Sequence, residues 1–227
     1  MRRLAAAGLS AFALAGCGSN HTKGSATLWI TRDRGQHVLL VGNVRAGQTA
    51  MQALQHKAKV STSYGGRFVH SINGVSGDRS ARRDWFYFVN GYEADRGAAD
   101  YTLHPGDVEW WDYRSWKREM QVPVVVGAFP EPFLHGYAGE TRDAAIVFDS
   151  RALEPQARAL GKLIHAKRLS ADELGDANVL FLTKADVPLS ATTKGAGSPA
   201  RFVIGPTAAR RLLADPKLVR FRYTGLR

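Results

Sequence analysis

Cysteine is nearly absent: Cys17 is the only one in 227 residues. No internal disulfide is open to the chain, and no cysteine-based zinc site. Stability has to come from packing alone. Histidine is sparse and scattered. His21, His37, His56, His70, His104, His135 and His165 show neither HxH nor HExxH spacing, so no metal site is expected, although spacing alone does not exclude a His/carboxylate pair. Long apolar runs are missing after the first twenty residues. The stretch 122–129 is far too short to cross a bilayer, which takes roughly 20 apolar residues. The familiar catalytic signatures are absent as well. There is no phosphate loop ending in Lys-Ser/Thr and no Gly-x-Ser-x-Gly elbow, and Gly195-x-Gly197 lacks a strand before it and a helix after it. The chain therefore reads as a non-enzyme, with no catalytic residue and no catalytic cofactor. Glu131, between two prolines and near His135, is the carboxylate most worth testing as an acid or base. A rigid turn packed by Phe129 and Phe133 is its plainer role.

What is present begins at the N-terminus. Arg2 and Arg3 form a short positive region, and Leu4 to Gly16 carries no charge. This is the grammar of a secretory signal. Leu14-Ala15-Gly16-Cys17 resembles a bacterial lipobox. That resemblance implies diacylglycerol transfer to the Cys17 thiol, cleavage before Cys17, and a lipid anchor on the extracytoplasmic face of the cell membrane. Residues 1–16 are then the signal peptide and 17–25 a small, polar tether. Two acyl chains are what durable anchoring takes.

Acidic residues are in deficit, with 31 Lys+Arg against 20 Asp+Glu and a net charge of +11. The balance stays basic without Arg2 and Arg3. Anionic headgroups and cell-wall polyanions are the partners such a charge attracts outside the cell, and nucleic acid is not expected there.

Two regions differ in style. In residues 26–115, Ala26 to Ile30 and His37 to Val44 read as a hairpin about Asp33-Arg34-Gly35. Thr49 is a candidate N-cap for a helix over Gln48 to Lys57, with Met51, Leu54 and Ala58 on one face. Short strands follow at Val60–Tyr64, Phe68–Ile72, Trp85–Val89, Tyr101–Leu103 and Val108–Tyr113. One helix across a mixed sheet is β-grasp-like. Polar residues around Ser115 to Gln121 mark a boundary. Residues 121–227 alternate strands (Val122–Val126, Ala144–Phe148, Val179–Thr183, Phe202–Ile204, Val219–Tyr223) with helices (Glu154–Lys167, Pro206–Leu213), as in a small α/β domain. The class is α+β.

Aromatics concentrate in Asp84 to Tyr92 and Tyr101 to Tyr113. Successive strand residues face opposite ways, so Trp85, Tyr87 and Val89 share one face and Phe86 and Phe88 the other. Both faces are apolar. One packs on the helix, and the other needs cover from the C-terminal half, a partner or a ligand. Trp110 and Trp111 must also diverge. The pattern Trp-x-x-x-Val-Asn-Gly from Trp85, then Tyr-x-Leu-x-x-Gly-Asp-x-x-x-Trp-x-Tyr from Tyr101, resembles the transcobalamin-like C-terminal (DUF4430-type) domain. The likeness spans roughly Thr27 to Tyr113 and leaves the second half unassigned. It implies a ligand-binding protein, with cobalamin or another planar corrinoid as ligand; for a tethered protein that captures such a molecule, a membrane importer is the expected recipient. Tyr64, Trp85, Tyr87, Tyr92, Trp110 and Tyr113 are the candidate binding residues. The other expectation is an envelope interaction module that binds glycan, cell-wall polymer or a protein. Asn90-Gly91 and Gly106-Asp107 are read as turn-keeping residues.

Overall fold

The structure, a computed structural model, describes residues 24–167 and 173–226. Cys17, the signal and most of the tether lie outside the described residues.

The first half is built on a hairpin of β1 (Ser25–Arg32) and β2 (His37–Arg45). Asp33 and Arg34 both adopt positive φ at its turn. Leu28 and Ile30 of β1 are fully buried. Burial of each such side chain stabilises by ~1.5–3 kcal/mol. Helix α1 (Ala50–Lys57) starts at Thr49, whose hydroxyl accepts from the Gln52 N–H while the Gln52 side chain returns to the Thr49 N–H. This reciprocal cap satisfies two donors that the helix itself cannot. Met51 and Leu54 are buried, as their spacing predicts. Strands β3 (Val60–Ser63), β4 (Phe68–Ile72) and β5 (Val75–Ser76) form a small antiparallel sheet. Strands β6 (Arg83–Val89), β7 (Tyr92–Glu93) and β8 (Val108–Ser115) complete the main sheet, in the order β2-β1-β8-β6-β7. It is mixed, because β1 and β8 run parallel.

The second half holds β9 (Ala144–Phe148), α2 (Glu154–Leu163), β10 (Asn178–Leu182), β11 (Ser190–Thr192), β12 (Arg201–Ile204) and α3 (Pro206–Ala214). The sheet order is β11-β12-β10-β9, with β9, β10 and β12 parallel. The fold is α+β.

Several expected elements differ. Val122–Val126 is not a strand: only Val124 bridges, to Tyr92, and a 3-10 turn follows at Val126–Ala128. Pro123 cannot donate to a ladder, and the segment spends its apolar side chains covering the main sheet. Val219–Tyr223 is not a strand either. A 3-10 turn occupies Pro216–Val219, and Phe221 takes positive φ (62°), which breaks an extended run. Tyr101–Leu103 contributes one bridge, Thr102 to Thr49. Tyr64 leaves β3 for a left-handed turn (φ 51°), and α2 stops at Leu163, ahead of His165 in the same conformation.

These segments supply the second cover that the sheet requires. One face packs Trp85, Val89, Trp111 and Tyr113 with α1 residues. On the other, Trp29, Phe88 and Trp110 are closed by Val122, Val125, Ala128 and Tyr223. The first cluster continues without a break into Leu180 and Phe202 of the second half.

Candidate functional site

Four of the six candidate aromatics, Trp85, Tyr92, Trp110 and Tyr113, are buried. Trp110 is fully buried and donates its Nε1–H to Thr31 Oγ1 at 2.7 Å. Tyr92 is buried where the halves meet, its hydroxyl donating to the Ser198 carbonyl at 2.9 Å. Tyr113 is buried and donates to the Ser76 carbonyl at 3.0 Å. The expectation of an open binding face is corrected for these three. Their rings are covered by the chain's own segments, and their polar atoms are used internally. Tyr64 is 77% exposed and meets Phe68 edge-on at 6.3 Å.

Tyr87 is half-buried, and Trp85, as buried as Tyr113, still borders an open groove. Trp85 is anchored by its Nε1–H on the Val75 carbonyl (2.8 Å) and rests on Tyr113. Tyr87 stacks on Trp111 at 4.8 Å and donates to the Arg96 carbonyl. Both are edge residues of β6, because β7 reaches only as far back as Phe88. Beside this open edge lies a groove of about 460 Å³. Trp85 and Tyr87 share it with Phe68, Phe86, Trp116 and Met120.

The groove walls arise from distant pieces of sequence. Phe68 comes from β4, which packs on the Trp85 side. Trp116 and Met120 come from the polar connection after β8. Arg114 fixes that connection: its guanidinium is fully buried, lies 3.7 Å over the Phe86 ring, and donates to the carbonyls of Glu119 (2.9 Å) and Met120 (2.8 Å). Glu93 accepts from Arg114 at 3.4 Å and also from the Val122 N–H. Burial pushes the Glu93 and Asp84 carboxyls above their ordinary range, and hydrogen bonds from Val122 and Trp85 pull the other way. Phe68, Phe86, Trp116 and Met120 are missed by sequence reasoning. Phe86 falls in the aromatic run, but nothing local marks the other three as its neighbours.

Glu131 is buried and holds His135 twice, through the ring Nδ1 (2.6 Å) and the backbone N–H (2.9 Å). The His135 ring lies directly over Gly106. Asn90, buried beside it, donates to Asp107 (2.7 Å) and to the Gly136 carbonyl (3.0 Å). The acid–imidazole pair thus closes the junction between the halves and does not line the groove. Among the described residues, no group of three His, Cys, Asp or Glu is placed to hold a metal ion. No helix among them is long and apolar enough to cross a membrane. A second cavity, about 640 Å³, lies between α2 and β9, with Ile146 and Phe148 under Arg158, Lys162 and Lys167.

The groove and most of its walls lie within one stretch of chain. Residues 47–115 match DUF4430, a domain of unknown function. The matched stretch includes α1 and every strand from β3 to β8, and it ends one residue before Trp116. No curated protein matches the chain. Among the solved structures that resemble part of it are these two. One is a Ruminococcus gnavus protein described provisionally as metal-binding, with 12% identity, a TM-score of 0.34, and coverage of 41% of this chain and 98% of that one. The other is haptocorrin in complex with Cbi, with 13% identity, a TM-score of 0.32, and coverage of 40% of this chain and 26% of that one. The likeness thus spans about a quarter of the haptocorrin chain.

Proposed function

We propose that this protein is a lipid-anchored extracytoplasmic binding protein whose ligand seats in the aromatic groove beside β6. One observation carries the reading. The groove is lined by five aromatic rings and a methionine, and the fold leaves Phe68, Phe86, Tyr87, Trp116 and Met120 partly uncovered beside the buried Trp85. Its volume of about 460 Å³ lies in the range of small-molecule sites, ~300–1,000 Å³. Flat ligands gain from such rings through area and stacking. The transcobalamin-like resemblance makes a corrinoid the first ligand to try. The lipobox resemblance at Cys17 supplies the anchor, and a membrane importer is the natural recipient of a captured small molecule. An anchored protein needs only modest affinity, because confinement at the membrane raises local concentration.

The test is a titration of the full chain with cobalamin and with cobinamide. Binding is followed by calorimetry and by tryptophan fluorescence. Saturable binding is expected, weakened at least fivefold by Trp116→Ala or Phe68→Ala, with circular dichroism unchanged. Binding that ignores both substitutions would move the site elsewhere.

A second reading, an envelope module that binds a protein partner, is favoured by the nature of the groove floor, which is an open strand edge.

A further inference from the structure

Along β6 the even-numbered residues turn their backbone groups toward β8. The flanking bonds show this: Trp116 N–H to the Arg82 carbonyl, and Asn90 N–H to the Val108 carbonyl, each 2.9 Å. Odd-numbered residues therefore point their N–H and C=O outward. At one end, Arg83 exchanges both groups with Asp78, at 2.8 and 2.9 Å. At the other, the Tyr87 carbonyl accepts from the Ala94 N–H at 3.1 Å. The Trp85 N–H is closed by Asp84 Oδ1 at 2.9 Å. Two groups are left. The Trp85 carbonyl and the Tyr87 N–H find no partner among the described residues. They flank Phe86 on the floor of the groove. This acceptor and donor, two residues apart on one edge, match the N–H and C=O of a single residue in a parallel strand.

We infer that the groove receives an extended peptide segment, one residue of which lies parallel to β6 with its N–H on the Trp85 carbonyl and its carbonyl on the Tyr87 N–H. The inference rests on the groove being the binding site, as proposed above. Main-chain bonds of this kind fix an added strand, and pockets beside the edge select its side chains. Here alternate side chains of the peptide fall on the two walls: Phe68, Trp85 and Tyr87 on one, Phe86, Trp116 and Met120 on the other. The Asp78–Arg83 bridge and Ala94 close the edge at either end, so the strand contact is about three residues long. The charge on the walls is mixed, Arg79 against Asp84 and Glu93, so the recognised stretch is apolar or aromatic and not a charge run.

The experiment selects a random heptapeptide library, displayed on phage, against the full chain. The tightest peptide is then synthesised with each backbone nitrogen methylated in turn. Methylation removes one donor without changing a side chain. A loss of tenfold or more at a single position is expected, together with slowed hydrogen exchange of the Tyr87 amide and at least fivefold weaker binding to Trp116→Ala. Tolerance of methylation at every position would overturn the inference. So would protection that falls on the outer edge of β2, where Val38, Leu39 and Val41 are about half exposed. If no peptide is selected while cobinamide binds and Trp116→Ala weakens it, the peptide inference fails and the groove stands as a small-molecule site. If neither binds, both readings fail.

Discussion

Glu109 carries a large penalty in the interior. It is wholly buried, and only one of its oxygens is used, accepting from the Trp111 Nε1–H at 2.6 Å. The other oxygen has no hydrogen-bond partner among the described residues. Burial pushes its pKa from the ordinary 4.5 up to about 8. The folded state therefore prefers the protonated acid. The stability this lends is full below pH ~4.5 and is lost as pH rises toward 8. Glu109→Gln keeps an acceptor for Trp111 and removes the charge. Urea denaturation is expected to show the variant more stable than the parent by roughly 4 kcal/mol at pH 8, and by only about 1 kcal/mol at pH 5. An equal effect at both values would mean that Glu109 titrates alike in the folded and unfolded chain, as a solvated carboxyl does. Asn90 shows the opposite arrangement at this scale. Its side chain is buried and fully used, accepting from the Val108 N–H at 2.8 Å while donating to Asp107 and Gly136. The Asn-Gly pair was legible as a turn from sequence. Its part in joining two halves was not, because Gly136 lies 46 residues away.

Among elements, α1 was the most legible. A cap residue, a periodic apolar face and a polar remainder all agree over one short span, and each is a local property. Thr49→Ala is expected to cost about 1 kcal/mol in thermal or chemical denaturation, whereas a change under ~0.3 kcal/mol would mean that tertiary contacts alone hold the helix start. The strands of the first half were also largely legible, since alternation along β6 sorted Trp85 from Phe86 and along β8 sorted Trp110 from Trp111. The failures have a common cause. Val122–Val126 and Val219–Tyr223 look like strands because they are apolar and β-branched or aromatic. Those residues are there to cover a sheet face, and beyond the single bridge of Val124 to Tyr92 they form no ladder among the described residues. Composition reports burial, not hydrogen bonding. The groove was half legible: Trp85 and Tyr87 were named, but Tyr92, Trp110 and Tyr113 were consumed by the core. Whether a ring faces solvent depends on what covers it.

At the scale of the whole molecule, the halves share one interior. Asn178, at the start of β10, is fully buried and donates to the Pro132 carbonyl (3.2 Å) while accepting from the Ala200 N–H (2.9 Å), with the Tyr92 hydroxyl 3.4 Å from its Oδ1. The Phe133 ring lies 5.0 Å from that of Phe202. Calorimetry of the full chain is expected to show one cooperative unfolding transition. Asn178→Ala should lower its midpoint and cost about 2–3 kcal/mol, because it strands several buried partners. Two well-separated transitions, with only that of the second half shifted by the substitution, would show that the halves are thermodynamically independent.

The sequence by itself determined what depends on near neighbours: the cap and face of α1, the hairpin of β1 and β2, the turn at Asn90, the α+β alternation, and the want of any disulfide. It also carried the family likeness, because the spacing of tryptophans, glycines and turns is itself local. Tertiary structure alone decided which aromatics close the core and which stay at an edge. It decided that residues 122–128 and 219–223 cover a sheet and do not extend one, and that Phe68 of β4 and Trp116 after β8 meet across β6. These outcomes turn on competition between distant segments for the same apolar surface, and no window of sequence contains both competitors.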